Sequence, residues 1–277
     1  MVNFDPQILR KSQTFYLNLW IHETHAPQIP SDESMKEYAH LDEQHRPYAA
    51  AVADDDKGIG RVLAALQELN LNDNTLVIFT SDNGPEKTGK ETAKELRAGY
   101  GTYYRVGTTG GLRGRKRSLF EGGVHVPFIV RWPGHVPARH LNKTTSMAAV
   151  DLLPTVCAAA KINLPSTYRQ DGENMLDTWL GKQQSRVKPI FWNWRGLESQ
   201  PETWPRWAVR HGDWKLVCDD SKRVELYHSQ EVWAETSDVA KDHPDVVGKL
   251  TAQLEAWRAI LPAMPDSKCL SKDKRRK

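Results

Sequence analysis

The stretch that decides the fold spans residues 46–82 and reads RPYAAAVADDDKGIGRVLAALQELNLNDNTLVIFTSD. Its first part predicts a helix over residues 46–70, because apolar side chains recur there at helical spacing. Those side chains are Ala49, Val52, Ile59, Val62, Leu63, Leu66 and Leu69. Asp73 and Asn74 then turn the chain into residues 75–82, whose β-branched and aromatic side chains predict a buried, parallel strand.

An earlier apolar segment, residues 14–21 (TFYLNLWI), predicts another strand, since it is long enough for a strand and short for a helix. Pro27 breaks regular structure after it, and a polar helix is predicted over residues 35–44. The order of strand, helix and strand is typical of a layered α/β fold.

A long segment without periodicity, residues 84–117, follows the second strand and is rich in Gly, Lys, Arg and Tyr. A loop of this length inside a compact domain is more often functional than idle. Residues 126–132 predict the next strand. Residues 146–160 predict a helix that Pro154 kinks or ends early.

The sequence changes character after Leu164, where short strand-like runs replace longer elements. The runs are residues 189–194, 207–210, 214–218 and 224–227. A hairpin-type turn is predicted at residues 211–214 (HGDW), and an amphipathic closing helix over residues 243–261. We therefore divide the chain into residues 1–165, a small α+β part at 166–265 and a basic tail at 266–277.

Composition and charge exclude several classes of protein. Hydrophobic residues make up 39% and charged residues 26% of the 277, as in a globular chain. The net charge is +3, but the last ten residues alone carry +5, so the remainder is slightly acidic and predicts no nucleic-acid surface. No apolar run is long enough to span a membrane, and no signal peptide is expected in the first residues. The three cysteines lie too far apart for a disulfide framework or a CxxC metal site.

The tetrapeptide SDNG, residues 81–84, ends the second predicted strand, where open α/β sheets bind ligands. Asp82 and Asn83 offer oxygen ligands of the kind that Ca²⁺ or Mg²⁺ takes. Gly84 lets the backbone turn tightly. An Asx-type turn without a metal explains the same residues, so the tetrapeptide alone leaves both interpretations open.

A second candidate segment, His22-Glu23-Thr24-His25, follows the first predicted strand. Its HxxH spacing is similar to half a metal site, and histidine is the usual proton donor at neutral pH. The alternative is a pair of loop histidines that share no ligand.

A third candidate is the basic run Arg113-Gly114-Arg115-Lys116-Arg117, which precedes SLFEGG. Its cations suit a sulfate or phosphate group, and a helix beginning beside them would add backbone N–H donors. A solvated basic loop is the alternative. All three candidate segments adjoin strands of one sheet, and together they indicate hydrolysis of an oxyanion ester.

The chain resembles the sulfatase family, most of all its arylsulfatase and N-acetylgalactosamine-6-sulfatase group. The matching motifs cover most of residues 14–228 and are FYLNLWIHETHAP, the helix and strand ending in SDNG, GLRGRKRSLFEGGVHVPFIVRWPG, MAAVDLLPTVCAAA, WAVRHGDWKLV and ELY. The resemblance implies an α/β class, with part of an alkaline-phosphatase-like α/β/α sandwich over residues 1–165. It implies a small C-terminal antiparallel sheet with a closing helix after that.

The resemblance also implies roles for four residues. Asp82 and Asn83 match the family's Ca²⁺ ligands. His25 matches the histidine that contacts the sulfate ester near the leaving group, and Lys116 matches the lysine that contacts sulfate.

Two family features are absent from the sequence. The nucleophile is a formylglycine made in a CxPSR or SxPSR motif, and neither motif occurs here. The paired Asp of the family's first strand is also missing, and Asp54, Asp55 and Asp56 lie in a helix and cannot replace it. The chain therefore resembles the C-terminal part of a sulfatase, and we expect it to bind Ca²⁺ weakly and to be inactive alone.

The resemblance implies a sulfuric ester hydrolase acting on sulfated glycans or aryl sulfates. Two alternatives stay open, namely a non-catalytic remnant that binds sulfate or glycan, and one chain of a split sulfatase. The second alternative implies a separate N-terminal sulfatase chain as partner.

Overall fold

The structure, a computed structural model, describes residues 14–25, 27–86, 106–194, 204–219, 223–229 and 233–262. Most of the predicted loop and the whole basic tail lie outside these ranges. The chain forms two compact units, the first comprising Met1–Lys116 and Phe120–Ser185, the second Arg117–Leu119 and Arg186–Lys277. The division at residues 165 and 265 expected from the sequence stays a prediction.

The described part of the first unit is built from short elements around one long helix. Its helices are α1 (Asp32–Glu37), α2 (His45–Glu68), α3 (Glu121–Val124), α4 (Leu152–Ala159) and α5 (Leu176–Trp179), with 3₁₀ turns at Asn72–Asn74 and Ala149–Asp151. Its strands are β1 (Val77–Thr80) and β2 (Phe128–Arg131). The long helix predicted over residues 46–70 is confirmed as α2.

The short helix before α2 lies earlier than residues 35–44, where the sequence predicted it. Ser31 caps α1, because its Oγ accepts a hydrogen bond from the Ser34 N–H at 3.2 Å. Asp54 of α2 accepts from the Ser31 N–H and from the hydroxyls of both serines, at 2.6–2.8 Å. These bonds fix where α1 begins and hold it on α2.

The strand predicted to be buried and parallel, residues 75–82, is neither. It appears as β1, which pairs antiparallel with β2 in a two-stranded sheet. Phe79 lies opposite Ile129, and these two side chains are 39% and 58% exposed. β-branched and aromatic residues predict a strand by their local preference, but the direction of its partner and the cover of its faces depend on distant residues.

Residues 14–21 form no strand in the described part of the structure, although their composition predicts one. Tyr16 and Trp20 are 83% and 87% exposed. A strand needs a hydrogen-bonded neighbour, and local sequence does not supply it.

The helix predicted over residues 146–160 is divided into the 3₁₀ turn and α4. α4 does not end early at Pro154, because this residue lies in the first turn of the helix, where a missing N–H costs no helical hydrogen bond. Asp151 accepts from the N–H groups of Ala148 and Glu173, both at 2.8 Å, which fastens the start of α4 to the loop after it.

The second unit contains the predicted antiparallel sheet and closing helix. The strands β3 (Ile190–Asn193), β4 (Trp207–His211), β5 (Trp214–Cys218) and β6 (Val224–His228) follow one another in that order, all antiparallel. The predicted hairpin turn joins β4 to β5, with Gly212 at φ +61°. α6 (Pro244–Ile260) is the closing helix.

The core of the second unit lies between the sheet and α6. Its buried apolar side chains are Val209, Leu216, Cys218, Leu226, Leu250 and Leu254. Lys215 and Glu235 form a buried ion pair at 2.8 Å, so each charge is compensated inside the protein. Across the described residues of both units, no helix combines the length and apolar character needed to cross a membrane.

Candidate functional site

Three of the motifs meet through their backbones at the ends of β1 and β2. The Gly84 N–H donates to the Gly123 carbonyl at 2.9 Å, and the Lys116 N–H donates to the Pro85 carbonyl at 2.9 Å. The Gly122 N–H donates to the Arg113 carbonyl at 2.7 Å. The SDNG turn, the basic run and the EGG turn are therefore joined in one cluster, which we call the three-loop cluster and define as residues 82–85, 113–116 and 121–123.

Glycine makes this close packing possible. A Cβ atom placed on Gly84 would lie under 3.0 Å from the backbone of Gly122. A Cβ on Gly122 would in turn lie under 3.0 Å from the carbonyl oxygens of Arg113 and Gly114. Only a residue without a side chain fits at either position, so the glycines of SDNG and EGG are part of the site's architecture.

Among the residues that the structure describes, Lys116 is the cation of the basic run that no neighbouring side chain engages. The Arg113 guanidinium lies over the Phe120 ring at 3.9 Å, and Arg115 pairs with Glu86 at 3.3 Å. The Lys116 side chain makes no ion pair or hydrogen bond with any residue the structure describes. Lys116 is thus the cation in this run that is available for an anionic ligand.

The Asp82 and Asn83 side chains retain oxygen atoms for a cation. Asp82 Oδ1 accepts the Asn83 N–H at 2.8 Å, and Asn83 Nδ2 donates to the Gly84 carbonyl at 2.9 Å. The second carboxylate oxygen and the amide oxygen accept no hydrogen bond within the described ranges. These residues fit a part of a Ca²⁺ shell, which takes about 6–8 oxygens. Among the described residues, no group of three or more His, Cys, Asp or Glu side chains could hold a metal.

His25 lies on a separate turn, residues 22–25. The His25 N–H donates to the His22 carbonyl at 2.9 Å, and the two imidazole rings are 5.3 Å apart. The structure thus joins Asp82, Asn83 and Lys116 through backbone contacts. The meeting of His25 with these three residues stays a prediction.

Asp55 of α2 has unusual chemistry that no sequence motif indicates. Burial, the charge of Glu23 with a hydrogen bond to it, and the charge of Asp54 raise the pKa of Asp55 to about 7. Asp55 follows the buried Ala51 by four residues and precedes the buried Gly58 by three. That helical spacing could have identified Asp55 as the carboxylate on the inner face of α2.

Two family models match the chain. The Sulfatase model covers residues 1–162, and the model described as N-sulphoglucosamine sulphohydrolase, C-terminal, covers residues 114–259.

The chain is similar to named relatives in bacteria and mammals. An N-acetylgalactosamine-6-O-sulfatase of Bacteroides thetaiotaomicron is 28% identical, over 90% of this chain and 48% of its own length. Human arylsulfatase A is 33% identical, over 74% of this chain and 36% of its own length. The chain therefore spans half or less of these two relatives.

The fold matches a solved structure. The crystal structure of Ps i-CgsB superimposes with a TM-score of 0.68 at 26% identity, over 84% of this chain and 47% of that one. The same protein is known in complex with k-i-k-neocarrahexaose. These comparisons confirm the α/β fold class, alkaline-phosphatase-like and followed by a C-terminal antiparallel sheet and closing helix.

Proposed function

The chain belongs to the sulfatase family, and we propose that it carries part of the active site of a sulfuric ester hydrolase. Its substrates in this proposal are sulfated glycans or aryl sulfates. The names of its relatives support that range, since they include an N-acetylgalactosamine-6-O-sulfatase and an arylsulfatase. The observation that carries the proposal is the three-loop cluster, which holds the SDNG turn beside Lys116.

Lys116 binds the sulfate group in this proposal. A lysine ammonium is a compact charge with three donors, and it stabilises the negative oxygens of a sulfate ester without a fixed geometry. Arg113 and Arg115 support the loop instead, because their guanidinium groups are engaged by Phe120 and Glu86.

His25 donates a proton to the departing alcohol oxygen. Histidine suits this step because its ordinary pKa lies near neutral pH. The step requires the turn at residues 22–25 to lie beside the three-loop cluster when substrate is bound.

Asp82 and Asn83 would hold a Ca²⁺ ion, each through a side-chain oxygen. When bound, the ion would supply positive charge that stabilises the sulfate oxygens in the transition state. Two protein ligands are a small fraction of the usual shell, so we expect a dissociation constant of about a millimolar or weaker for the chain alone.

The nucleophile must come from residues outside this sequence. No CxPSR or SxPSR motif occurs in the 277 residues, and loss of the nucleophile removes the covalent step of the reaction. We therefore propose that activity requires a polypeptide carrying that motif, either in a longer form of this protein or as a separate N-terminal chain.

The test compares the chain alone with a complemented pair. The purified chain should not hydrolyse a chromogenic aryl sulfate above a blank. Co-expression with a chain that carries the CxPSR region, together with the enzyme that makes formylglycine, should restore turnover, and Lys116→Ala should reduce it. Turnover by the purified chain alone that His25→Ala abolishes would contradict the proposal.

A second candidate function is sulfate or glycan binding without catalysis. It is favoured by the same available cation, Lys116, together with the missing nucleophile motif. A soluble complemented pair with verified formylglycine that binds sulfate but does not turn over would favour binding over hydrolysis.

A further inference from the structure

Asn83 and Gly84 form the one Asn-Gly dipeptide in the 277 residues. This dipeptide is chemically labile, because glycine has no side chain that keeps its backbone nitrogen away from the side-chain amide of the asparagine. Asn83 is partly exposed, whereas Gly84 is buried. The most labile asparagine of the sequence therefore lies inside the three-loop cluster.

Deamidation of such a dipeptide proceeds through a succinimide ring. The Gly84 nitrogen gives up its proton to water or hydroxide and forms a bond to the side-chain carbon Cγ of Asn83. The bond from Cγ to Nδ2 breaks, and the nitrogen takes up a proton from water and leaves as ammonia. Water then opens the ring at either carbonyl, which leaves aspartate or isoaspartate. The reaction therefore needs a Gly84 nitrogen that is free to lose its proton and to move.

The three-loop cluster restrains that nitrogen in two ways. The Gly84 N–H donates to the Gly123 carbonyl at 2.9 Å, so its proton is not available until this hydrogen bond breaks. A Cβ atom on Gly84 would lie 1.9 Å from the Gly122 carbonyl oxygen, so the Gly84 backbone lies directly against the EGG turn. A hydrogen-bonded and closely packed N–H reacts only when the structure opens locally.

Hydrogen bonds within the SDNG turn restrain Asn83 as well. Its Nδ2 atom, the leaving group of the reaction, donates to the Gly84 carbonyl at 2.9 Å. Its N–H donates to Asp82 Oδ1 at 2.8 Å, and its carbonyl accepts the Ser81 hydroxyl at 3.1 Å. These bonds hold the side-chain amide and the backbone of Asn83 in one conformation, and loss of ammonia removes the first of them.

We propose that Asn83 is a modification site, which deamidates at a rate set by opening of the three-loop cluster. While the cluster is closed, the residue stays asparagine, and each opening exposes the Gly84 nitrogen to reaction. Isoaspartate at this position adds a methylene to the backbone and moves the side-chain oxygen away from that of Asp82, which weakens Ca²⁺ binding. That consequence rests on the proposed function, but the modification itself does not.

The test compares the full chain in buffer with the same chain unfolded in urea, both at one mildly alkaline pH and without Ca²⁺ or sulfate. Mass spectrometry of proteolytic peptides measures the conversion of Asn83 over time. Conversion in the folded chain should be slower by about tenfold or more. The hydrogen-exchange protection factor of the Gly84 amide should equal this slowing within about threefold, because both reactions require the same opening.

Gly122→Ala should accelerate conversion in the folded chain by about fivefold or more, since its Cβ would lie 2.5 Å from the Gly114 carbonyl oxygen and force the cluster open. Gly60→Ala is the matched control, because a Cβ there would meet nothing within 4 Å, and it should not accelerate conversion. If Gly122→Ala does not fold, the agreement between deamidation and amide exchange in the wild type decides. Conversion as fast in buffer as in urea, a slowing that differs from the protection factor, or equal rates in the Gly122 and Gly60 variants would overturn the proposal.

Discussion

At the scale of single residues, the three-loop cluster depends on Gly84. Because a Cβ there would meet the Gly122 backbone, Gly84→Ala must push the SDNG and EGG turns apart. We expect it to lower the free energy of unfolding by at least about 2 kcal/mol, as overpacking against backbone does.

Gly60 provides the control for this prediction. It lies in α2, and a Cβ on it would meet nothing within 4 Å. Gly60→Ala should raise the stability by about 0.5–1 kcal/mol, because alanine restricts the unfolded chain and favours helix. Urea denaturation of both variants measures the difference, and equal stability of the two would contradict the close packing at Gly84.

The sequence predicts which residues belong to the site better than it predicts the contacts between them. The SDNG and EGG motifs and the basic run are each made of consecutive residues, so they can be identified from the sequence alone. Arg115 is paired with Glu86, a contact across 29 positions that no local pattern contains, whereas Lys116 has no such partner within the described ranges. The raised pKa of Asp55 is not evident from local sequence for a similar reason, since Glu23, whose charge contributes to it, lies in a different segment.

At the scale of elements, local preference predicted where helices and strands lie. It did not predict which elements pair with each other or in which direction. α2 and the four strands of the second unit were all predicted, because helical spacing and alternation are properties of a few consecutive residues. The direction of β1 was wrong, because strand pairing is decided by residues far along the chain.

The exposed side chains of Phe79 and Ile129, on neighbouring strands β1 and β2, indicate that the chain will self-associate. A two-stranded sheet is marginally stable by itself, and an uncovered apolar face favours association between molecules. We expect the purified chain to self-associate, and Ile129→Thr to reduce that association while changing the stability by less than about 1 kcal/mol.

Ile162→Thr is the control for that prediction, because Ile162 is 59% exposed and lies in a loop, while Ile129 is 58% exposed in β2. Light scattering at equal concentrations compares the variants. A wild-type chain that is a monodisperse monomer with a sharp two-state melt would contradict the prediction.

At the scale of the whole molecule, the family was predicted because its motifs are distributed along the chain. They extend from the segment before His25 to β6, so their combination is far more specific than any one of them. The chain nevertheless spans only 48% of its bacterial relative, and in our proposal the residues that complete the reaction lie outside this sequence.

The most direct test of the sulfate site is the binding of inorganic sulfate to the chain, measured by calorimetry at low ionic strength. Lys116→Ala should weaken binding about tenfold or more, since a charge-assisted hydrogen bond contributes roughly 1.5–3 kcal/mol. Lys143→Ala removes an exposed lysine elsewhere in the same unit and should leave binding unchanged. Equal affinity of the Lys116 variant, the Lys143 variant and the wild type, or no sulfate binding by the wild type, would contradict the assignment of the three-loop cluster as the sulfate site.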